Sequence, residues 1–295
     1  MSQPRVGVIG GSGLYAVADL EQTEELVLTT PFGDPSDAVV VGRWHGVEVA
    51  FIPRHGRGHR IMPTHINARA NIFALKSLGV EWLISVSAVG SMREELIPGE
   101  VVIPDQFVDR TVARPCTFFE GGIVAHISFA DPVCSLLSEV LHAAARRAGA
   151  RVHFGGSYLC IEGPQFSTKA ESRIYRQWGV DVIGMTNLPE AKLAREAEMS
   201  YGVLAFVSDY DCWHETAESV SVETIVKILQ QNGAMAQQII GEALPAIPLE
   251  HGSPYRGTLK GAIITDPTTI PPQIKRSLAP LIGQYIPVET PSAST

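Results

Sequence analysis

Two long segments of the chain are apolar or small at almost every position. They are WLISVSAV (82–89) and YGVLAFVS (201–208). Strands of this composition are typically buried on both faces, in the centre of a parallel sheet that helices cover. The second segment runs directly into Asp209 and Asp211, and an isolated buried charge is costly. The sequence therefore predicts an α/β fold with two acids at the end of a central strand.

Strand-like and helix-like segments alternate along the chain. Apolar and β-branched runs predict strands over 5–9, 81–90, 99–108, 151–163, 180–185 and 201–209, and a hairpin over 38–56. Apolar residues at helical spacing predict helices over 64–80, 131–149, 167–179, 189–200 and 221–244. We expect Asp131 to cap the second of these helices and Gly233 to weaken the last. The alternation predicts a single α/β domain in which helices flank both faces of a central mixed, mostly parallel sheet.

Composition and charge restrict the class of function. Hydrophobic residues make up 45% of the 295 residues and charged residues 18%, which is typical of a globular protein. The net charge of −8 argues against nucleic acid as a partner. The first residues lack the pattern of a signal peptide, and no apolar run approaches the length of a membrane span. Cys116, Cys134, Cys160 and Cys212 form no C-x-x-C pair, so we expect free thiols and a cytoplasmic location.

The character of the chain changes after Leu244. Prolines become frequent, and the last residues, ETPSAST (289–295), are typical of a disordered tail. One more short helix is predicted over 272–286. We therefore divide the chain into a main domain, 1–250, and a proline-rich extension, 251–295, for which the sequence predicts no function.

The glycine-rich segment VIGGSGLYA (8–16) follows the first predicted strand. Gly11, Gly13 and Ala16 match the G-x-G-x-x-A form of the dinucleotide-binding fingerprint. The residues that follow contain no clear helix and strand ending in an acid that could hold a ribose. Three interpretations stay open: a simple turn, a dinucleotide site, and a loop whose amides and Ser12 hydroxyl hold one phosphate, which we favour.

A cluster of Arg and His residues ends the predicted hairpin and continues beyond it. It contains Arg54, His55, Arg57, His59 and Arg60. The spacing of His55 and His59 would suit a metal on a helix. However, Gly56 and Gly58 disfavour a helix, and the neighbouring arginines repel a cation. The cluster is either a solvated basic loop or an oxyanion site in which the planar fork of an arginine holds two oxygens.

Asp209 and Asp211 lie where open α/β sheets bind ligands, just past the carboxyl end of a central strand. The alternative is that Asp209 caps a turn. Two acids, two residues apart after a fully apolar strand, favour the ligand site. Because their charges repel in a closed pocket, we expect the pKa of one to be raised, which leaves a proton donor beside an acceptor.

Long collinear motifs resemble one known family. They include GVIGGSGLY, RHGRGHRIMPTHINARANIFALK, SAVGSMREELIPGEVVIPDQFVDRT, IEGPQFSTKAESRIYRQWG, VIGMTNLPEAKLAREAEMSYG and SDYDCW, and they extend from about residue 5 to residue 245. The chain resembles the S-methyl-5′-thioadenosine phosphorylases of the trimeric purine nucleoside phosphorylase family. The resemblance implies phosphorolysis of methylthioadenosine to adenine and 5-methylthioribose 1-phosphate, by a homotrimer with shared active sites and without a cofactor or a metal.

The resemblance also implies roles for individual residues. Phosphate would be held by Ser12, Arg54, His55, Ser87, Ala88 and Thr186. Met185 would lie under the ribose, and the base would be lined by Phe166, Ser167, Asp209 and Asp211. Asp209 would be the acid at N7 of adenine, and Asp211 would accept from the 6-amino group. The methylthio group would lie against Val222, Val226 and the neighbouring subunit's His126.

The resemblance bears on purine choice as well. Members that cleave 6-oxopurines carry an amide at the position of Asp209 and a glutamate at that of Ser167, so we expect this chain to prefer an aminopurine. Many members carry Thr at the position of Asn187, and the sequence assigns no consequence to that difference. The alternatives are a phosphorylase for methylthioinosine or other purine nucleosides, a hydrolytic nucleosidase, and a non-catalytic nucleoside-binding protein.

Overall fold

The computed structural model describes residues 3–15, 17–214 and 222–288; in the helix that begins at Val222, side chains are described for residue 228 and from residue 230 onward. Within these residues, eleven strands form one sheet. They are β1 (Val6–Gly10), β2 (Glu21–Leu26), β3 (Val39–Trp44), β4 (Val47–Pro53), β5 (Trp82–Ser91), β6 (Val101–Ile103), β7 (Gln106–Arg110), β8 (Val152–Phe154), β9 (Ser157–Ile161), β10 (Val182–Gly184) and β11 (Ser200–Tyr210).

Seven α-helices lie in the same residues. They are α1 (Ala68–Ser77), α2 (Ser135–Arg147), α3 (Lys169–Gln177), α4 (Asn187–Glu196), α5 (Val222–Ala243), α6 (Pro272–Ser277) and α7 (Ala279–Ile282). Local side-chain interactions explain why α3 begins where it does. Thr168 Oγ1 accepts from the Glu171 backbone N–H, and the Glu171 carboxylate accepts from the Thr168 N–H at 2.7 Å. This reciprocal pair satisfies two amides that the first turn leaves free.

The sheet is mixed and mostly parallel, as predicted. Its described strands follow the order β2-β3-β4-β1-β5-β10-β9-β7, while β11 pairs with β5 and β6, and β8 pairs with β6. Six of the ten pairs among these strands are parallel. The predicted hairpin is β3 and β4, joined by His45 and Gly46, whose φ angles of 46° and 81° suit a tight two-residue turn.

The side chains of β5 and β11 alternate between two helical layers. Leu83 of β5 and Val203 of β11 belong to a hydrophobic cluster that includes side chains of α1 and α4. Ile84 of β5 and Leu204 of β11 belong to a second cluster, formed with α2 and α5. Both faces of these strands are therefore buried, which is why neither apolar segment has a polar face.

The sheet opens beside the middle of β5. Ser85 is the last β5 residue paired with β1, and Gly90 is the first paired with β10. On the other side, β11 follows β5 along its whole length, with a bulge between Val207 and Asp209. Between Ser85 and Gly90 no described strand covers the β1 side of β5. Ser87, Ala88 and Val89 of this stretch line a cavity.

Two segments that were predicted as single strands are divided. The segment 99–108 becomes β6 and β7 because Pro104 has no N–H to continue a ladder. The segment 151–163 becomes β8 and β9 at Gly155 and Gly156, which have φ angles of 89° and 108°. In both cases the two halves pair with different neighbours, so the breaks let the chain change position in the sheet.

The prediction that Asp131 caps the second helix was wrong. α2 begins at Ser135, with Cys134 in the cap position. The Asp131 carbonyl instead accepts a hydrogen bond from Arg195 Nη2 at 2.6 Å. Strand β2 was not predicted, because the sequence EQTEEL is almost entirely exposed along one edge of the sheet and shows no apolar alternation.

The described part of the extension, 251–288, packs on the main body of the protein. It forms two short helices, α6 and α7, where one was predicted. Leu259, Ile270, Leu278, Leu281, Ile282 and Ile286 join the hydrophobic cluster of α1 and α4. Glu198 also accepts hydrogen bonds from Gln284 Nε2 at 2.8 Å and Tyr285 OH at 2.6 Å. The predicted tail, 289–295, lies outside the described residues.

Among the helices that the structure describes, none combines the length and hydropathy that a membrane crossing requires. The four cysteines are free thiols, as predicted.

Candidate active site

A cavity of about 760 Å³ lies beside the open part of β5. Eleven of the fourteen residues that the sequence assigned to a site line it. They are Ser12, Arg54, His55, Phe166, Ser167, Ser87, Ala88, Met185, Thr186, Asp209 and Asp211. These residues lie within β5, at the carboxyl end of β11, or just after β1, β4, β9 and β10, which is the edge where α/β sheets place ligand sites.

Three assigned residues are not among those that line the cavity. His126 is exposed, and its backbone N–H donates to the Ala262 carbonyl at 2.9 Å. The side chains of Val222 and Val226 lie outside the described part of the chain, although both residues belong to α5. Phe166 lines the cavity but is 80% exposed, so one face of the site is open in the single chain.

The acid end of the cavity is formed by the end of β11. Asp209 and Asp211 come after the bulge at Ser208, which changes the register of β11 against β5. Bulges of this kind redirect side chains next to functional sites. Ser208 Oγ donates to Asp209 Oδ1 at 2.5 Å, and Asp211 is only 7% exposed.

Burial raises the pKa of both acids. For Asp209 burial is the largest cause, the Ser208 hydrogen bond opposes it, and the charge of Asp211 adds to it. For Asp211 burial is again the largest cause, opposed by the nearby donor groups of Ser172 and Cys212. We predicted that mutual repulsion would raise one pKa. The structure shows instead that desolvation dominates and acts on both carboxyls.

The glycine loop forms part of the opposite end. Residues 11–15 form a turn after β1, and β2 follows rather than the helix that a dinucleotide-binding unit requires. A Cβ on Gly11 would lie 2.3 Å from the Val86 carbonyl oxygen, so glycine is needed for the loop to approach β5. Helix α5 reaches the same loop, because a Cβ on Gly233 would lie 2.3 Å from the Gly13 carbonyl oxygen. The predicted weak point of α5 is therefore a close contact with the loop.

Arg54 is held by a buried network. Its Nε and Nη2 donate to the two oxygens of Glu190 at 2.8 and 3.0 Å. Its Nη1 donates to the Val86 carbonyl at 2.8 Å, and its Nη2 also donates to Ser85 Oγ at 2.6 Å. The planar fork thus faces Glu190 and not a ligand. One N–H of the five that a guanidinium carries, on Nη1, remains for an anion in the cavity.

Further hydroxyls complete this network. Ser85 Oγ and Tyr201 OH donate to Glu190 Oε1 at 2.6 and 2.7 Å. Asn187 Nδ2 donates to both hydroxyls, at 3.1 and 2.8 Å. Arg54 and Glu190 are each 1% exposed. A buried ion pair is stable only with this kind of satisfaction of its remaining groups.

His55 presents its second ring nitrogen to the site. The ring is 4% exposed, and Nδ1 lies 2.8 Å from the Ile61 carbonyl oxygen. Because a carbonyl only accepts, Nδ1 carries a proton. Burial lowers the pKa of His55 to about 4, against the opposing hydrogen bond to Ile61. The neutral ring stacks on His59 with 4.2 Å between centroids, and His59 Nδ1 lies 2.8 Å from Tyr15 OH.

Two serines in the wall retain hydrogen-bonding capacity. Ser167 Oγ is buried and has no hydrogen-bond partner among the described residues. Ser87 Oγ lies near Tyr158 OH, but the two do not meet the geometry of a hydrogen bond. Buried polar groups in native proteins are almost always satisfied, so hydroxyls of this kind in a cavity wall are suited to a polar ligand.

Arg114 joins the segment after β9 to the segment after β10. Its Nη1 donates to the carbonyls of Met185 and Leu188 at 2.6 and 2.8 Å. Its Nη2 donates to the Glu162 carbonyl at 2.6 Å, and its Nε to the Glu162 carboxylate at 3.1 Å. Arg114 thereby fixes the backbone beside Met185 and Thr186.

The sequence interpretation missed Arg114, Glu190 and Tyr201. A signal for Glu190 did exist, since an arginine in a buried site requires a counter-charge. Nothing in the sequence selects Glu190 from the other 30 acids for that role. Among residues 3–15, 17–214 and 222–288, no group of three or more His, Cys, Asp or Glu side chains is arranged to hold a metal ion.

The chain is similar to known phosphorylases over nearly its full length. Residues 5–245 match the model of the phosphorylase superfamily. An S-methyl-5′-thioadenosine phosphorylase of Geobacter sulfurreducens is 58% identical over 282 residues, which are 95% of this chain and 99% of that protein. A crystal structure of a methylthioadenosine phosphorylase from an antarctic soil metagenomic library is 46% identical, with a TM-score of 0.91 over 95% of this chain and 99% of that one.

A more distant structure shares the same architecture. Methylthioadenosine phosphorylase from Schistosoma mansoni, in complex with adenine, is 34% identical and has a TM-score of 0.83 over 88% of this chain and 98% of that chain. The family match includes every segment that lines the cavity. The chain belongs to the phosphorylase superfamily and, within it, to the S-methyl-5′-thioadenosine phosphorylase family.

Proposed function

We propose that the chain catalyses the reversible phosphorolysis of S-methyl-5′-thioadenosine, which gives adenine and 5-methylthioribose 1-phosphate for purine and methionine salvage. One observation supports this most strongly. A single cavity holds a buried acid pair together with a separate group of anion-binding side chains. A purine nucleoside that placed its base against the acids would direct its sugar towards the anion.

The anion site would hold phosphate through one N–H of Arg54, the ring of His55 and nearby hydroxyls and amides. The residues proposed for it are Ser12, Arg54, His55, Ser87, Ala88 and Thr186. Those proposed for the nucleoside are Met185, Phe166, Ser167, Asp209 and Asp211. Val222, Val226 and the partner's His126 would enclose the methylthio group.

The chemistry requires a proton at the base and a nucleophile at the sugar. Cleavage of the N-glycosidic bond leaves positive charge on the sugar and negative charge on the purine. Asp209, whose pKa is raised by burial, donates a proton to N7 and makes adenine a neutral leaving group. Such donation contributes about 10²–10⁴-fold to the rate. Phosphate then attacks the cationic sugar carbon from the opposite side.

The alternatives have less support. A hydrolytic nucleosidase would not need an anion site built around a buried arginine that keeps one N–H for a ligand. A non-catalytic nucleoside-binding protein would not need a proton donor with a raised pKa at the base. A phosphorylase for other purine nucleosides would differ from this proposal only in its substrate specificity. Comparing the cleavage of an aminopurine nucleoside with that of a 6-oxopurine nucleoside distinguishes the two.

We expect adenine release from methylthioadenosine to require inorganic phosphate. Without a nucleophile the cationic sugar has no acceptor, so release in phosphate-free buffer should be undetectable beside the complete reaction. Ser87→Ala should raise the phosphate KM about 5- to 10-fold, the value of one hydrogen bond, and leave the nucleoside KM within about twofold. This substitution is a cleaner test than one of Arg54, whose loss would also leave Glu190 buried and unpaired. Undiminished adenine release without phosphate would contradict the proposal.

We also propose a homotrimer in which neighbouring subunits share active sites. The exposed Phe166 and the absence of His126 from the lining of the described cavity support it, since both are explained if a neighbour covers the open face. Light scattering should give about three times the chain mass of 31.8 kDa. A fully active sample with the mass of one chain would contradict shared sites.

The remaining assignments are proposals that follow from the same function. The reaction consumes phosphate as a co-substrate, and we propose that it needs no cofactor or metal. We propose a cytoplasmic location, which suits four free thiols. The division into a main domain, 1–250, and an extension, 251–295, is also kept as a proposal, and the family match ends at residue 245.

A further inference from the structure

The anion site has an unusual balance of charge for a site that would bind a dianion. Arg54, the buried cation, is paired with Glu190 through two hydrogen bonds. Arg60 also lines the cavity, but its side chain is 61% exposed and lies 3.6 Å from Asp37. The deep part of the described site therefore contains no cation without a counter-charge.

His55 does not supply the missing charge. Its Nδ1 proton is committed to the Ile61 carbonyl at 2.8 Å, so in the neutral ring Nε2 carries a lone pair. The charged and titratable groups that act on the ring are Arg54, His59 and Glu190. Arg60 lines the same cavity, and Tyr15 OH lies 2.8 Å from Nδ1 of His59. Burial lowers the pKa of His55 to about 4, the nearby Arg54 and His59 disfavour a second proton, and Glu190 opposes them. At neutral pH the ring offers an acceptor and not a donor.

We propose that this site selects oxyanions that carry a proton, because His55 accepts a hydrogen bond from the ligand. This inference rests on the proposed phosphate site and specifies which form of the anion it takes. Hydrogen phosphate and hydrogen arsenate have an O–H group at neutral and alkaline pH, and this group donates to Nε2 of His55. Sulfate has no proton, so one of its oxygens would face the lone pair.

The repulsion between a sulfate oxygen and the lone pair of His55 Nε2 disappears when the ring is protonated. If His55 gains a proton, Nε2 becomes a donor and sulfate can bind, so sulfate binding is linked to the uptake of one proton. As pH falls, the protonated fraction of His55 grows, and sulfate affinity must rise. Hydrogen phosphate already carries the proton that His55 accepts, so its binding requires no proton uptake by the protein. Above neutral pH its affinity should therefore change little.

The test is equilibrium binding of inorganic phosphate, arsenate and sulfate to the intact protein, by calorimetry at constant ionic strength. At about pH 8 we expect phosphate and arsenate to bind about 10- to 100-fold more tightly than sulfate, the value of one hydrogen bond to a charged partner. Towards about pH 6 the sulfate affinity should rise by up to tenfold per pH unit, so the ratio of phosphate affinity to sulfate affinity should decrease.

Two variants separate proton selection from charge. His55→Gln offers an amide that can donate or accept, so it should reduce the ratio to about threefold or less. Arg60→Gln removes exposed charge and should weaken all three anions equally, which leaves the ratio unchanged. Sulfate binding as tight as that of phosphate at about pH 8, with parallel pH profiles, would overturn the inference but leave the phosphate site intact. Failure of all three anions to bind would overturn both.

Discussion

Methylthioadenosine should be cleaved about 10⁴-fold more efficiently than methylthioinosine, measured as kcat/KM on the unmodified protein. The two substrates differ at position 6, where adenine has an amino donor and hypoxanthine an oxygen acceptor. Asp211 is buried, and a carboxylate in that position would accept from the amino group but repel the oxygen. Of the described residues that line the cavity, none carries a side-chain amide that could donate to that oxygen.

A matched pair of variants tests the cause of this preference. Asp209→Asn with Ser167→Glu supplies an amide donor and a carboxylate acceptor, and it should move the ratio towards the inosine compound. Ser167→Glu alone should weaken both substrates without reversing their order. If methylthioinosine is cleaved as well as methylthioadenosine by the unmodified protein, the roles given to Asp209 and Asp211 are wrong.

Glu190→Ala should lower the free energy of unfolding by about 3–5 kcal/mol, as expected when one partner of a buried ion pair is removed. The substitution leaves the Arg54 guanidinium buried without its counter-charge and removes the acceptor of two hydroxyl groups. Typical proteins have only about 5–15 kcal/mol of stability, so the variant should unfold at a much lower urea concentration.

Two further substitutions serve as controls. Glu190→Gln keeps the shape and part of the hydrogen bonding, so it should retain more stability than Glu190→Ala while still weakening phosphate binding through a displaced Arg54. Glu242→Ala breaks an ion pair with Arg147 in which both side chains are 48% exposed, and it should cost no more than about 1 kcal/mol. Equal effects of Glu190→Ala and Glu242→Ala would show that the buried network does not hold Arg54.

The α/β fold could be predicted because its cause is local in the sequence. The segments that became β5 and β11 are apolar on both faces, and such strands are stable only between two layers of helices. The boundaries were less predictable. Pro104 and the pair Gly155–Gly156 were visible in the sequence, but only strand pairing showed that they divide β6 from β7 and β8 from β9.

The grouping of the candidate residues at one cavity was predictable for a different reason. Motif resemblance located Ser12, Arg54, His55, Asp209 and Asp211, and the fold brings all five to one cavity. How they act was not predictable. We had assigned the fork of an arginine to the anion and the raised pKa of one acid to charge repulsion. Instead, the fork of Arg54 is occupied by Glu190, and burial raises the pKa of both acids.

Asn187 shows most clearly where the sequence alone was insufficient. Its difference from many family members had no interpretation until Nδ2 was found to donate to both Ser85 and Tyr201. These contacts join residues that are 102 and 14 positions apart in the chain. Hydrophobic periodicity and motifs, which are local, therefore determined the layers of this protein and which candidate residues meet at the cavity. Protonation states, the orientation of Arg54 and the acceptor at His55 depend on burial and on long-range partners, and only the tertiary structure decided them.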